Sequence, residues 1–500
     1  MCSPAILAAI NYTDLVSNNW IRTTTDSISL LICGQSKLEL RHFQYPITSI
    51  EQTVQQLLIK YQLNETHTFE LNISPSGVEI CTFITGELQL YYFQTDEFLF
   101  FSDSFAHLVT LIGKQQPLSL DPQGIYDLLS FNPQLELRSL VVGIKILKEN
   151  QVLKWEQGKI TTCQRVPLEQ QVISFQDCNT IETVTNHLTS EIDAHVQTIS
   201  QFIPPAQQCC TLSGGVDSAI VSHRAAIQYI PTFVSIQMIG PKRDVQTESL
   251  VELHSCLGGN QFVTSLEVSP LLDSQFTCSQ LDPYTDPYSH VIQPLLSKMR
   301  QLDSCVVYTG LGADDSYYQP KFNSQSYTQE KVQQVAEISN YFLLPWQRKT
   351  ETKRHSLLPP ILSNSQLVYT PQWRMHGIWP VSPFISPALI SLSAQIPTKF
   401  KEQKQLLRSY VTDTMSCPKT AMAPSVGFSE YFFTSLTDFY RIEGRQLLQS
   451  NTMLSGIIDT QRVLQQTDKE IQTNNLQKNT AFVLYGTLRL MLFLQKVMKT

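Results

Sequence analysis

The sequence predicts an α/β protein in two parts: a layered, β-rich N-terminal domain over residues 1–170, and a C-terminal domain over 180–500 built on a doubly wound parallel sheet with a helical last part. Three observations carry this. Short alternating strands fill the first third, strands and helices alternate after residue 208, and a polar stretch near Gln170–Thr180 leads into a long helix that separates the two. A length of 500 residues exceeds one core and calls for two or three domains, while 42% hydrophobic content excludes wholesale disorder.

In chain order, Val78–Thr85, Leu88–Gln94 and Phe98–Ser102 alternate as strands of the first domain, and Asn179–Phe202 is the boundary helix. Cys209–Leu212 then reads as a short buried strand and Ser218–Tyr229 as a helix. Thr232–Gln237 is a strand, Gln246–Cys256 a helix, and Gln261–Leu266 and Ser304–Tyr308 are further strands. A C-terminal helix starts at Ala481, and no internal repeat or low-complexity tract interrupts the series.

The chemistry concentrates between two of these elements. LSGGVDSA, Leu212–Ala219, joins a strand to a helix N-terminus, which is an anion site. Gly214 and Gly215 let the backbone approach closely and point successive N–H groups at phosphate oxygens, and the helix dipole adds to their pull. Asp217 makes sense among phosphates only with a divalent cation between them, so the loop implies ATP with magnesium. No GxxxxGK[ST] occurs anywhere, which turns the reading away from kinases and GTPases. After Ser304–Tyr308 comes a second acidic, glycine-containing turn, TGLGADD, Thr309–Asp315. Asp217 and Asp314 then fall at the carboxyl ends of two strands, where open α/β sheets bind ligands.

SGGVDS resembles the pyrophosphate loop of the ATP pyrophosphatases, the adenine nucleotide α-hydrolase-like group that includes asparagine synthetases. TGLGADD resembles the SGxGxDE turn of the same group, with Asp314 on the metal-binding aspartate and Asp315 where glutamate is usual. The resemblance implies that Leu212 to Ser218 with Gly310, Leu311 and Gly312 hold nucleotide, and that Asp217 and Asp314 hold magnesium. It places Gln237 at a strand end where it can read the adenine edge. GPKRDVQTES, from Gly240, resembles the acidic turn before a helix, with Asp244 and Glu248 placed to cap that helix or touch nucleotide. KQLLR, Lys404–Arg408, resembles a segment whose lysine stabilises charge during adenylation, making Lys404 and Arg408 catalytic candidates beside Asp314. Lys399, Lys401 and Lys404 also read as a solvated basic helix face.

The first domain resembles the Ntn glutaminase-like domain that precedes such synthetases. Cys2 stands where a terminal cysteine nucleophile would be, but there is no RHGPD-like or NGEIYN-like run, and LLICGQSK, Leu30–Lys37, occupies the corresponding place. This predicts an inactive glutaminase. Synthetases with inactive first domains include β-lactam synthetases and lasso peptide (microcin-type) macrolactam cyclases, and the chain resembles the latter more closely, from FLFFSDSFAHLV at Phe98 to VSPFISPALISL at Val381. Where asparagine formers carry EARxPFLD the chain has WPVSPFIS, with Trp379 and Val381 in place of glutamate and arginine. The resemblance therefore implies an ATP-dependent, AMP-forming ligase that closes a ring in a precursor peptide, with a leader-peptide protease as partner. A small-molecule amide synthetase and a non-catalytic ATP-binding protein remain alternatives.

Composition agrees with a cytoplasmic enzyme. The net charge of −7 offers no global basic surface for nucleic acid, no apolar run predicts a membrane span, and MCSPAILAAINYTD lacks the pattern of a signal peptide. Eleven cysteines without CxxC pairs fit reduced thiols.

Overall fold

A computed structural model describes residues 6–11, 21–25, 28–33, 36–41, 47–53, 56–62, 68–129, 138–230, 232–237, 243–265, 270–288, 292–318, 337–343, 357–374, 376–424 and 429–497. The chain is mixed α/β, with antiparallel sheets in its N-terminal part and a five-stranded parallel sheet with helices in its C-terminal part.

Seven antiparallel strands lie in the order Lys145–Leu147, Leu90–Gln94, Phe98–Ser102, Ile6–Asn11, Ser36–Arg41, Ile28–Cys33 and Ile21–Thr25. Six more run Lys159–Gln164, Gln151–Glu156, Gly77–Cys81, Thr68–Ser74, Gln56–Gln62 and Ile47–Thr53. Ala8, Ile10, Leu99 and Phe101 of the first sheet share one core with Phe69, Leu71, Ile73, Val78 and Ile80 of the second, so the sheets form stacked layers. Phe98–Ser102 has the predicted bounds. The predicted strand Val78–Thr85 is shorter, Gly77–Cys81, with one further ladder bond from the Thr82 N–H to the Gln151 carbonyl at 2.9 Å.

Ile181–Ser200 is the boundary helix, and Thr180 caps it by accepting from the Thr183 N–H. Its Val184, Leu188, Ile192, Val196 and Ile199 recur at helical spacing and are buried. The parallel sheet that follows has the spatial order Asn260–Ser265, Thr232–Gln237, Gln208–Thr211, Val306–Tyr308, Trp379–Val381. In chain order this is third, second, first, fourth, fifth, so the winding reverses between Gln208–Thr211 and Val306–Tyr308. Alternate side chains enter two different cores: Cys210, Phe233, Val306 and Tyr308 on one side, Cys209, Val234 and Val307 on the other. Both faces are therefore covered, as a parallel sheet requires. The nine cysteines whose side chains are described are all free, and burial pushes the Cys209 thiol up to about 12.

Lys478–Val497 is long and apolar enough to cross a bilayer, but 83% of its apolar window is buried inside the protein, where Phe493 stacks on Phe105 at 5.9 Å. Helix Pro360–Arg374 joins the two parts. Its Gln366 and Thr370 side chains donate to the Thr85 and Glu87 carbonyls at 3.1 and 3.0 Å, and Arg374 meets Asp103 at 3.5 Å with both side chains almost fully buried. Beside it, buried Asp286 accepts from the Tyr288 N–H at 2.8 Å and from Gln372 at 3.4 Å.

Burial pushes the Asp286 carboxyl up to about 6, against the pull of Tyr288, Gln372 and the Arg489 guanidinium. Its folded value lies above its ordinary one, so its contribution to stability is complete below about pH 4 and is lost as pH rises through about 6. Asp286→Asn does not titrate. Between pH 4.5 and 8 its stability relative to wild type is expected to rise by about 3 kcal/mol at most, read from denaturant midpoints at the two pH values. A pH-independent difference would refute the assignment.

Candidate active site

The loop after Gln208–Thr211 begins at buried Leu212, whose N–H continues the sheet by donating to the Val234 carbonyl at 3.0 Å. Gly214 turns the chain at φ +85° and Gly215 caps the helix Val216–Ile227 with no side chain of its own. The helix thus starts two residues before the predicted Ser218, and Val216, Asp217 and Ser218 form its first turn. Ser218 Oγ holds the loop shut: it accepts from the Ser213 N–H at 3.1 Å and donates to the Gly215 carbonyl at 3.1 Å. Its one proton being used, the Ser213 hydroxyl is the donor in their 2.9 Å contact. The result is a closed glycine-containing loop at the N-terminus of an uncapped twelve-residue helix, a geometry that suits an anion cradle.

The second turn follows Val306–Tyr308, the strand next to Gln208–Thr211, so the two loops meet where the winding reverses. Gly310 makes that meeting possible. A Cβ there would lie 2.8 Å from Asp217 C, Asp217 Cβ and Ser218 N, closer than any side chain tolerates. Gly310→Ala is therefore expected to part the loops, costing about 1–3 kcal/mol and lowering nucleotide affinity at least tenfold, checked by thermal unfolding and by titration with fluorescent ATP. Leu311 is half-buried, and Gly312, at φ +93°, starts the short helix Ala313–Tyr317 that presents Asp314 and Asp315. Ser382, after the fifth strand, braces this turn by donating to the Leu311 carbonyl at 2.7 Å.

Lys404 converges on both loops. Its Nζ lies 2.6 Å from Asp217 Oδ2 and 2.6 Å from Asp314 Oδ1. The lysine and Asp217 are interior, at 13% and 18% exposure, whereas Asp314 is 71% exposed. The KQLLR segment does not carry the lysine on a helix face: Gln403 and Lys404 both have left-handed φ, 52° and 60°, and Lys404 precedes the helix Gln405–Ser409. Such strained backbone persists where the surroundings hold it, and here it swings the ammonium inward. Burial pushes the Asp217 carboxyl up to about 6 despite the pull of Lys404, and Asp314 adds to the rise. Burial opposes the Lys404 charge, but Asp217 and Asp314 outweigh it and hold the ammonium above its ordinary value. Burial, then Asp314, push Asp315 up to about 6 as well.

These residues fit a magnesium–nucleotide pair. Asp217 Oδ1 is buried and has no hydrogen-bond partner, an acceptor left over for a cation. Among the described residues no three His, Cys, Asp or Glu side chains converge as a self-sufficient metal cage.

Not every predicted residue faces the cradle. Arg408 spends its guanidinium on the Gln403 carbonyl at 2.8 Å and on the Ala421 carbonyl, so it holds the shape of the lysine segment. Gln237 lies at the carboxyl end of its strand and donates to Thr247 Oγ1 at 3.0 Å, and Glu248 is exposed on the second turn of helix Arg243–Leu257. Cys2, Gly34, Gly240 and the Asp244 side chain lie outside the described residues, as does most of 319–357. Sequence reasoning missed Gln246, whose amide donates to the Ser213 and Ile236 carbonyls at 3.2 and 3.0 Å and ties the loop to the neighbouring strand. A buried polar residue opening an otherwise amphipathic helix was its only signal. Trp379 and Val381 are buried, and Trp379 packs on Phe83 of the N-terminal part at 5.4 Å.

No family model matches the chain, and a search of curated proteins returns no significant match.

Proposed function

We propose that this chain is an ATP-dependent, AMP-forming carbon–nitrogen ligase that adenylates an aspartate or glutamate side chain of a precursor peptide and closes a macrolactam ring with its N-terminal amine. The observation that carries the reading is Lys404 held between Asp217 and Asp314 where two phosphate-type loops meet at the reversal of a parallel sheet.

The amides around Gly214 to Ser218 would take the β and γ phosphates, and the carboxylates of Asp217 and Asp314 would hold magnesium. Bound there, magnesium supplies screening between phosphates and carboxylates and polarises the α phosphate. Lys404 would exchange its carboxylate partners for charge growing on the α phosphorus and later on the acyl oxyanion. Such a cation acts most strongly where charge develops, in a site sheltered from water. The substrate carboxylate attacks the α phosphorus and pyrophosphate leaves; the amine then attacks the acyl carbon and AMP leaves. Trp379 and Val381 put no acid at the place where asparagine formers carry one, which supports a peptide rather than an asparagine product.

The test is mass spectrometry of the purified chain with ATP, magnesium and leader-free peptides carrying a free N-terminus and an internal acid. Loss of one water together with AMP supports the cyclase, and adding the leader-peptide protease is expected to extend this to full precursors. An amide formed instead from a free amino acid with ammonia or glutamine overturns it in favour of a small-molecule synthetase.

A further inference from the structure

Two thiols meet behind the lysine segment. Cys256 is in the last turn of helix Arg243–Leu257, and Cys417 ends the irregular stretch that follows Lys404. Both sulfurs reach the same acceptor, the Met415 carbonyl, at 3.3 and 3.4 Å, so the two thiols converge on one oxygen. Cys256 is exposed and Cys417 is buried. An accessible thiol thus has a sheltered second thiol beside it. Cys163, also exposed, serves as an internal control.

The two cysteines sit on elements that belong to the site. The helix of Cys256 carries Gln246, which holds the Ser213 carbonyl, and Glu252, which accepts from the Lys419 and Thr420 N–H groups at 3.1 and 2.7 Å. The segment of Cys417 runs back through Tyr410 and Arg408 to Lys404, and the Cys417 N–H donates to the Val411 carbonyl at 2.9 Å. A bond between the sulfurs would therefore staple the lysine segment to the helix that shapes the phosphate loop.

We infer that Cys256 and Cys417 form a peroxide-oxidised disulfide that locks Lys404 against Asp217 and Asp314 and reversibly lowers turnover. The regulatory half of this rests on the proposed function; the disulfide itself does not. The Cys256 thiolate attacks hydrogen peroxide, breaking its O–O bond, releasing hydroxide and leaving a sulfenic acid. The Cys417 sulfur then attacks the Cys256 sulfur, forming the S–S bond and breaking S–O; the Cys417 proton and the hydroxyl leave as water. Two thiols are oxidised and one peroxide is reduced to two waters. Burial, then Cys256 and Glu252, push the Cys417 thiol up to about 12, so the second step is the slow one.

The experiment treats the full chain with equimolar hydrogen peroxide, then maps peptides without reduction and follows hydrogen exchange over 404–422. A Cys256–Cys417 cross-linked peptide, with exchange in that segment slowed at least fivefold and restored by dithiothreitol, is expected. Cys256→Ser, which leaves Lys404 and both aspartates untouched, should abolish both changes while keeping the reduced wild-type exchange rate. A sulfenic or sulfinic acid at Cys256 with Cys417 still free overturns the inference, as does oxidation of Cys163 and Cys256 at equal rates without a cross-link. Should the cross-link form and slow exchange while no AMP is released by either redox state, the ligase reading fails and the thiol pair stands.

Discussion

Asp217→Asn should abolish magnesium-dependent AMP release, lowering turnover by roughly 10²- to 10³-fold or more, without lowering the melting temperature. The two halves of this expectation come from one environment. Burial pushes the carboxyl up to about 6, so above that pH the charged form is held at a cost to the fold. Its folded value exceeds its ordinary one, so stability from this group is present below about pH 4 and lost as pH passes about 6. Removing the charge at pH 8 therefore relieves strain, offset by loss of the inner partner of Lys404. Activity is read as AMP and pyrophosphate release, stability by calorimetry at pH 8. A variant that melts several degrees lower yet turns over normally would show Asp217 to be a structural ion-pair partner and nothing more.

Lys404→Met is expected to do the opposite to stability while also removing activity. The lysine is the only cation within ion-pair distance of either aspartate among the described residues, and it touches both at 2.6 Å. Its loss leaves a buried carboxylate facing a second one, a change that typically costs about 3 kcal/mol or more when one partner of a buried pair is removed. Turnover should fall roughly 10²-fold or more with a smaller change in nucleotide affinity, because the lysine acts on charge that appears during the reaction. Adding Asp217→Asn to Lys404→Met should recover most of the lost stability and none of the activity. Recovery of activity in the double variant would place catalysis elsewhere.

Much of this site is legible in the chain because its parts are local. Strand, glycine-rich loop and helix follow one another within twenty residues, and a buried parallel strand is apolar on both faces, so Thr232–Gln237 has its predicted bounds. Helix starts are less legible: the predicted Ser218 and Gln246 stand as Val216 and Arg243, since an apolar stripe marks the buried face but not the first amides of the helix. The solvated-face reading of Lys404 fails for a similar reason. Spacing places it on a solvated helix face, whereas two consecutive left-handed residues detach it from the helix and turn it inward. Nothing local announces a left-handed lysine; it is the pull of two acids brought from other parts of the chain that stabilises it.

By itself, then, the sequence determined the two-part α/β plan, the phosphate-type loop and the acidic turn, because each is written in short-range periodicity and in residues with special backbone freedom. Only the tertiary structure decided that Gly310 must touch Asp217, that Arg408 serves the backbone, that Gln246 braces the loop, and that Cys256 meets Cys417. Those contacts join residues from about a dozen to about 160 positions apart. Their existence depends on which strands become neighbours, a choice made by the burial of whole faces rather than by any one segment.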